Sequence, residues 1–185
     1  MVETRKNIKN LLEMSFTLKN NYIVKLFGKK REILFLFFIY YGIIIMVIEM
    51  KNRSELREIA MKCLYQVYIM EPTKIGYDIN ELIHEQLEVE NDFVNTLVNG
   101  VISNQKTIDE LANKYLENWT IDRLNKVDKA ILSVGIFELK YTETPSIVSI
   151  NEAIELSKKY SDEAVTKMIN GVLDNIYHNE DIDER

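Results

Sequence analysis

Basic residues next to a tyrosine give this sequence its clearest potential for chemistry. The segment 51–62 holds four basic and two acidic residues, and Arg53 and Arg57 are four residues apart, which places them on one face of a helix. Tyr65 follows eight residues after Arg57, on roughly the same face. Arginine binds phosphate groups, and a tyrosine ring stacks on a base with about 1–3 kcal/mol. Such a group of residues can bind single-stranded RNA, but spacing alone favours the alternative, a solvated N-terminus with Tyr65 in the core.

Residue types that support catalysis or metal binding are isolated. Cys63 is the only cysteine, and it falls on an apolar helical stripe, which favours a buried structural thiol. His84 lies on a short acidic helix, where a solvated face is a better interpretation than a ligand set. The glutamates of that face are Glu81, Glu85 and Glu88. No phosphate-loop, zinc-protease or serine-hydrolase motif occurs, so we expect a binding protein with no catalytic residues, no metal and no cofactor.

Helices must position these residues, because apolar side chains after residue 53 repeat with a period of 3.6 and no strand pattern occurs. We therefore predict an all-α fold of about seven helices. Ser54 is the predicted N-cap of the first, and Thr107 and Ser149 each open a capping box with a glutamate three residues later. The predicted segments are 54–70, 78–87, 92–104, 107–115, 122–141, 149–160 and 162–177.

An internal similarity links residues 97–104 and 168–175, which share an Asn-Gly-Val core. Each copy places a glycine, Gly100 or Gly171, in mid-helix, where glycine is about 1 kcal/mol less favourable than alanine. Matched glycines suggest close helix crossings that leave no room for a Cβ, and two related helical halves. Chance similarity in an Asn-rich sequence is the alternative.

The first 50 of the 185 residues differ from the rest, with a net charge of +4 against −10 for residues 51–185. An apolar run at 33–48 would span about 24 Å as a helix, short of the roughly 30 Å of a bilayer core. A short membrane anchor stays open as an interpretation. We favour another, in which residues 1–49 are an atypical leader outside the native protein, which would begin at Met46 or Met50. Residues 178–185 are predicted to be an acidic flexible tail.

Five segments, in order, resemble the NusB family of bacterial transcription antitermination factors. They are residues 57–66, 97–101, 127–139, 150–158 and 170–174. The resemblance covers about residues 51–177, so we expect one RNA-binding helical domain at 50–177. It implies two packed helical subdomains that bind the boxA element of ribosomal RNA transcripts together with the ribosomal protein NusE. It further implies a cytoplasmic factor that joins the RNA polymerase elongation complex.

The resemblance also implies individual site residues. The family usually has a denser arginine cluster at the start of the first helix, so Ser54 and Glu55 lower the expected affinity for RNA alone. Met168 stands where the family often has phenylalanine, which weakens one stacking contact. The implied RNA-binding residues are Lys51, Arg53, Arg57, Tyr65, Tyr115, Lys167 and Met168. The implied partner-binding residues are Tyr65, Tyr115 and Asp128.

Two other functions compete with this one. A related domain forms the non-catalytic amino-terminal part of ribosomal RNA cytosine methyltransferases, but only eight residues follow Tyr177, and Cys63 is the single cysteine. We therefore expect no such catalytic domain. A membrane-tethered helical adaptor would require residues 33–48 to be inserted in a bilayer, and we consider membrane association unlikely.

Overall fold

The computed structural model describes residues 51–73, 76–87, 89–180 and 182. The predicted leader, its apolar run and both candidate start residues lie outside these ranges. Among the helices of the described ranges, none combines the length and the apolar character needed to cross a bilayer.

Seven α-helices form the described part of the chain, which contains no strand and two single-turn 3₁₀ helices, at Glu71–Thr73 and Ile121–Arg123. The prediction of an all-α fold with about seven helices is confirmed. The helices are α1 (Arg53–Met70), α2 (Ile79–Gln86), α3 (Asp92–Ser103), α4 (Gln105–Tyr115), α5 (Lys126–Tyr141), α6 (Ser146–Tyr160) and α7 (Glu163–Asn179).

Helix α5 lies at the centre, as its apolar surface on most sides predicts. Twelve of its 16 residues are buried. Helices α1, α2 and α3 pack together and α6 packs against α7, while α5 contacts α1, α3, α4, α6 and α7. Residues from Asn52 onward form one compact unit around it.

The start of α1 differs from the prediction. Asn52, and not Ser54, is the N-cap: its side chain accepts the N–H of Glu55 at 2.9 Å, and the Glu55 carboxylate accepts the N–H of Asn52 at 3.3 Å. This reciprocal pair satisfies two backbone donors at once. Ser54 instead donates its hydroxyl hydrogen to Glu152 in α6, at 3.0 Å.

Both predicted capping boxes are wrong, because Thr107 and Ser149 lie inside helices. Helix α4 begins at Gln105, directly after the single residue that separates it from α3. Helix α6 begins at Ser146 after Pro145, so Ser149 falls one turn inside, fully buried. A proline suits a helix start because it has no N–H to be left unpaired there.

Two further boundaries move. The fifth helix begins at Lys126 rather than near Asp122, because Asn125 caps it by accepting the N–H of Asp128 at 2.9 Å. Helix α7 continues through Asn179, two residues beyond the predicted end. The beginning of the predicted tail is therefore helical.

The two glycines of the internal similarity have different surroundings. A Cβ on Gly100 would lie 2.0 Å from Cζ of Phe137, so α3 and α5 approach each other at this point as predicted. A Cβ on Gly171 would meet no atom within 4 Å. The prediction of a close crossing is confirmed at Gly100 and is wrong at Gly171.

Candidate nucleic-acid interface

Arg57 lies in the interior and not on the surface. Its side chain is 2 % exposed, and its Nε and one terminal nitrogen donate to the two oxygens of Glu138 at 2.8 and 2.9 Å. Its other terminal nitrogen lies 3.4 Å from Glu152, and Thr144 donates to Glu138 at 3.2 Å. This bidentate pairing occupies the guanidinium group, so Arg57 as placed here has no access to RNA.

The exposed stripe of α1 carries Tyr65 and not Arg57. Tyr65 is 37 % exposed and follows Glu58 and Lys62 along the helix, while Arg57 faces α5. Eight residues of an α-helix rotate the side chain by about 80°, which is enough to move it from a solvent face to a buried one. The expected face shared by Arg57 and Tyr65 does not form, and Tyr65 is not in the core either.

Of the two arginines at the start of α1, Arg53 is the one at the surface. Its guanidinium carbon lies 4.9 Å from the ring centroid of Phe93 in α3. Among the described residues, no carboxylate forms a salt bridge with Arg53. Lys51, two residues earlier, is half-buried. These two cations, on either side of the N-cap Asn52, form the basic end of α1.

Glu58 connects the middle of α1 to the end of α6. It accepts hydrogen bonds from Lys62 at 2.7 Å, from Lys159 and from the hydroxyl of Tyr160. Burial opposes the charge of this carboxylate, but the hydrogen bonds from Lys159, Lys62 and Tyr160 outweigh it and lower the pKa of Glu58 to about 2.

This low pKa predicts a loss of stability in acid. A carboxylate whose pKa is lower in the folded protein stabilises the fold above its ordinary pKa of 4.5, and the stabilisation disappears as the pH falls towards 2. Urea unfolding at pH 5 and at pH 3 measures the free energy of unfolding at each pH. Between pH 5 and pH 3, this free energy should fall by about 1–2 kcal/mol less in Glu58→Gln than in the unmodified protein. Glu155→Gln, in an exposed pair with Lys158, should match the unmodified protein. Equal losses for Glu58→Gln and the unmodified protein would contradict the prediction.

An open groove of about 470 Å³ runs between the start of α1 and α6. Each of its carboxylates has a partner: Glu55 caps α1, Glu58 binds two lysines, Glu152 lies 3.4 Å from Arg57, and Glu155 binds Lys158. Lysines therefore offset part of the negative charge that an RNA strand beside the basic end of α1 would meet in this groove. The groove is lined by Asn52, Ser54, Glu55, Glu58, Glu152, Glu155, Leu156, Lys158 and Lys159.

The other residues expected at the RNA side lie on α4 and α7. Lys167 is exposed and pairs with Glu163 at 2.7 Å, and Met168 is half-buried against the core. Tyr115 donates its hydroxyl hydrogen to Glu180 at 2.7 Å. The described contacts thus divide the expected RNA residues between the α1–α6 side and the α4 and α7 helices.

Asp128, expected at the partner interface, is 2 % exposed. The hydroxyl of Ser161 donates to its carboxylate, which ties the start of α5 to the connection between α6 and α7. Burial raises the pKa of Asp128, and the hydrogen bond from Ser161 opposes that rise. In this position the carboxylate stabilises the helix junction, and it is buried rather than exposed to a partner.

Sequence reasoning missed two residues that shape this surface. Glu138, the partner of Arg57, lies 81 residues away in the chain, and no spacing rule connects them. Phe93 has the ordinary pattern of a residue that packs in the core. The preference of arginine for aromatic faces is the one signal that could have drawn attention to it. Cys63, by contrast, is fully buried as predicted, and burial raises the pKa of its thiol to about 11.

Comparisons with known proteins agree with this fold. The sequence model of the NusB family matches residues 54–178. The chain is similar to the "Transcription antitermination protein NusB" of Listeria innocua serovar 6a, 43 % identical over 126 residues, covering 68 % of this chain and 95 % of that protein. The protein of the same name from Bacillus subtilis is 42 % identical over 130 residues, covering 69 % and 95 %.

Solved structures show the same likeness. The structure of T. maritima NusB superimposes with a TM-score of 0.62 at 30 % identity, covering 70 % of this chain and 92 % of that one. A crystal structure of antitermination factors NusB and NusE in complex with dsRNA gives a TM-score of 0.57 at 28 % identity, covering 68 % and 96 %. The chain therefore belongs to the NusB family.

Proposed function

We propose that this protein is a transcription antitermination factor that binds boxA-type RNA of ribosomal RNA transcripts together with the ribosomal protein NusE. One observation carries the proposal: the helical domain matches 95 % of the length of relatives named as antitermination proteins, at 42 to 43 % identity. The likeness to a NusB chain solved with NusE and dsRNA supports both partners.

The RNA contacts in this proposal begin at the basic end of α1. Arg53 and Lys51 bind phosphate groups, and the exposed ring of Tyr65 offers a stacking surface. Lys167, Met168 and Tyr115 extend the contact surface on α7 and α4. Arg57 acts indirectly: its pairing with Glu138 holds the start of α1 against α5.

The partner contacts follow from the charge of the domain. Residues 51–185 carry a net charge of −10, which opposes long-range attraction of RNA and favours a basic protein partner. We assign NusE binding to the surface around Tyr65, Tyr115 and the junction held by Asp128. Bound to both, the factor would join the RNA polymerase elongation complex through other Nus factors. Its place is the cytoplasm, and its role is binding without catalysis.

Fluorescence anisotropy tests this function. The full-length chain is titrated into labelled boxA-type RNA, with and without purified NusE, over a series of salt concentrations. We expect sequence-selective binding that NusE strengthens and that salt weakens. Equal affinity for a scrambled RNA, or no binding with NusE present, would contradict the proposal.

Arg53→Ala tests the assigned RNA surface in the same assay. Losing one phosphate contact should weaken binding and reduce the slope of log K against log salt by about 1. Lys106→Ala is the matched control, because Lys106 carries the same charge on α4, is 90 % exposed and pairs with Glu110. The control should bind RNA like the unmodified protein.

A further inference from the structure

The ring of Phe93 lies against both arginines of the first turns of α1. The guanidinium carbon of Arg53 is 4.9 Å from the ring centroid, and that of Arg57 is 5.3 Å from it. Both distances fall within the roughly 6 Å over which a guanidinium is attracted to an aromatic face. The Phe93 ring therefore contacts both the exposed arginine and the buried one.

The start of α3 holds this ring in place. The side chain of Asn91 accepts the N–H of Phe93 at 3.1 Å and that of Val94 at 3.3 Å, which caps the helix. Phe93 itself is half-buried and packs against the core. Its ring consequently has a defined position before any ligand arrives.

The two arginines differ in charge compensation. Arg57 is paired with Glu138 and Glu152, whereas Arg53 forms no salt bridge with any described residue. Within the described ranges, the arginine without a carboxylate partner is therefore the one that the ring holds at the surface. A long side chain that is already restrained loses less conformational freedom when it binds a ligand.

We propose that Phe93 is a positioning residue that holds the Arg53 guanidinium ready for an RNA phosphate. This inference rests on the proposed function, in which Arg53 contacts RNA. It assigns Phe93 no contact with the RNA itself, so its effect on RNA binding must pass through Arg53.

A double-mutant cycle tests this dependence. Phe93→Leu removes the aromatic face and keeps an apolar side chain, and the full-length variants are titrated into labelled boxA-type RNA. With Arg53 present, we expect Phe93→Leu to weaken binding about 2- to 5-fold. In the Arg53→Ala background, it should change affinity by less than about 1.5-fold. Phe93→Tyr, which keeps the ring, should bind like the unmodified protein.

Several results would overturn the inference. Equal weakening in both backgrounds would show that Phe93 acts without Arg53, and no weakening in either would show that it does nothing for binding. Thermal unfolding followed by circular dichroism checks that all variants are folded at the assay temperature. If Arg53→Ala alone leaves the affinity unchanged, the RNA surface assigned above fails, and the inference fails with it.

A measurement without RNA distinguishes failure of the positioning role of Phe93 from failure of the proposed RNA-binding function. In the free protein, the ring current of Phe93 should shift the Nε–H proton resonance of Arg53. The shift should vanish in Phe93→Leu and remain in Phe93→Tyr. Its absence from the unmodified protein would overturn the positioning role even if the protein binds boxA-type RNA as proposed.

Discussion

Arg57→Ala is expected to lower the free energy of unfolding by about 3–5 kcal/mol, because it leaves the Glu138 carboxylate buried without its cation. Glu138 is 1 % exposed, and the Arg57 guanidinium supplies two of its hydrogen bonds at 2.8 and 2.9 Å. The Thr144 hydroxyl also donates to Glu138, at 3.2 Å, but a neutral hydroxyl does not compensate a full charge. Urea unfolding at pH 7 measures the loss.

Two comparisons show whether the loss comes from the unpaired charge. Glu152→Gln should cost much less than Arg57→Ala, because the Glu152 side chain is 24 % exposed and can be hydrated. The double variant Arg57→Met, Glu138→Leu should be more stable than Arg57→Ala, since an apolar pair leaves no buried charge. A loss below about 1 kcal/mol for Arg57→Ala would indicate that water reaches Glu138 and would contradict the prediction.

Gly100→Ala is expected to destabilise the protein by about 1–3 kcal/mol through overpacking. The new Cβ would lie 2.0 Å from Cζ of Phe137, and that ring is 4 % exposed and stacked on Tyr141 with centroids 5.4 Å apart. The ring has little space to move, so α3 and α5 must separate or the ring must leave its rotamer. Chemical denaturation measures the change.

Gly171→Ala is the matched variant and is expected to have the opposite sign. Its Cβ would meet nothing within 4 Å, so the change should stabilise α7 by about 1 kcal/mol through helix propensity alone. Stabilisation by both substitutions would show that the Phe137 ring moves away from Gly100 at little cost. Destabilisation by both would show that Gly171 has a packing role in the folded protein.

The contrast between the arginines changes how the basic start of α1 is understood. Residue type and spacing make Arg53 and Arg57 look equivalent, yet one is exposed and the other is 2 % exposed. A loss of RNA binding in an Arg57 variant would therefore be ambiguous, because the same change is expected to destabilise the fold. Arg53→Ala avoids that difficulty, since it removes an exposed cation that pairs with no described carboxylate.

Features that depend on near neighbours along the chain could be predicted from the amino-acid sequence alone. The 3.6-residue apolar period predicted the helices, because a helical stripe is a local pattern. Asp92 marked the start of α3 correctly, and Cys63 was placed in the core. The family was identified from five segments that resemble the NusB family and occur in the same order along the chain. Cap positions were less certain, because Ser, Thr, Asn and Asp compete for the role within a few residues, as Asn52 and Ser54 show.

Which side chains of those helices remain available for binding depends on how the helices pack. Arg57 is buried because Glu138, 81 residues later, is brought beside it when α5 packs against α1. Asp128 is buried at the start of α5, where its carboxylate accepts a hydrogen bond from Ser161 in the connection between α6 and α7. Gly100 and Gly171 share a motif, but only Gly100 faces a packed ring. In each case, the exposure or packing of a residue depends on a contact with a residue that is distant in the chain. A local sequence pattern contains no information about which distant residue folding brings into contact.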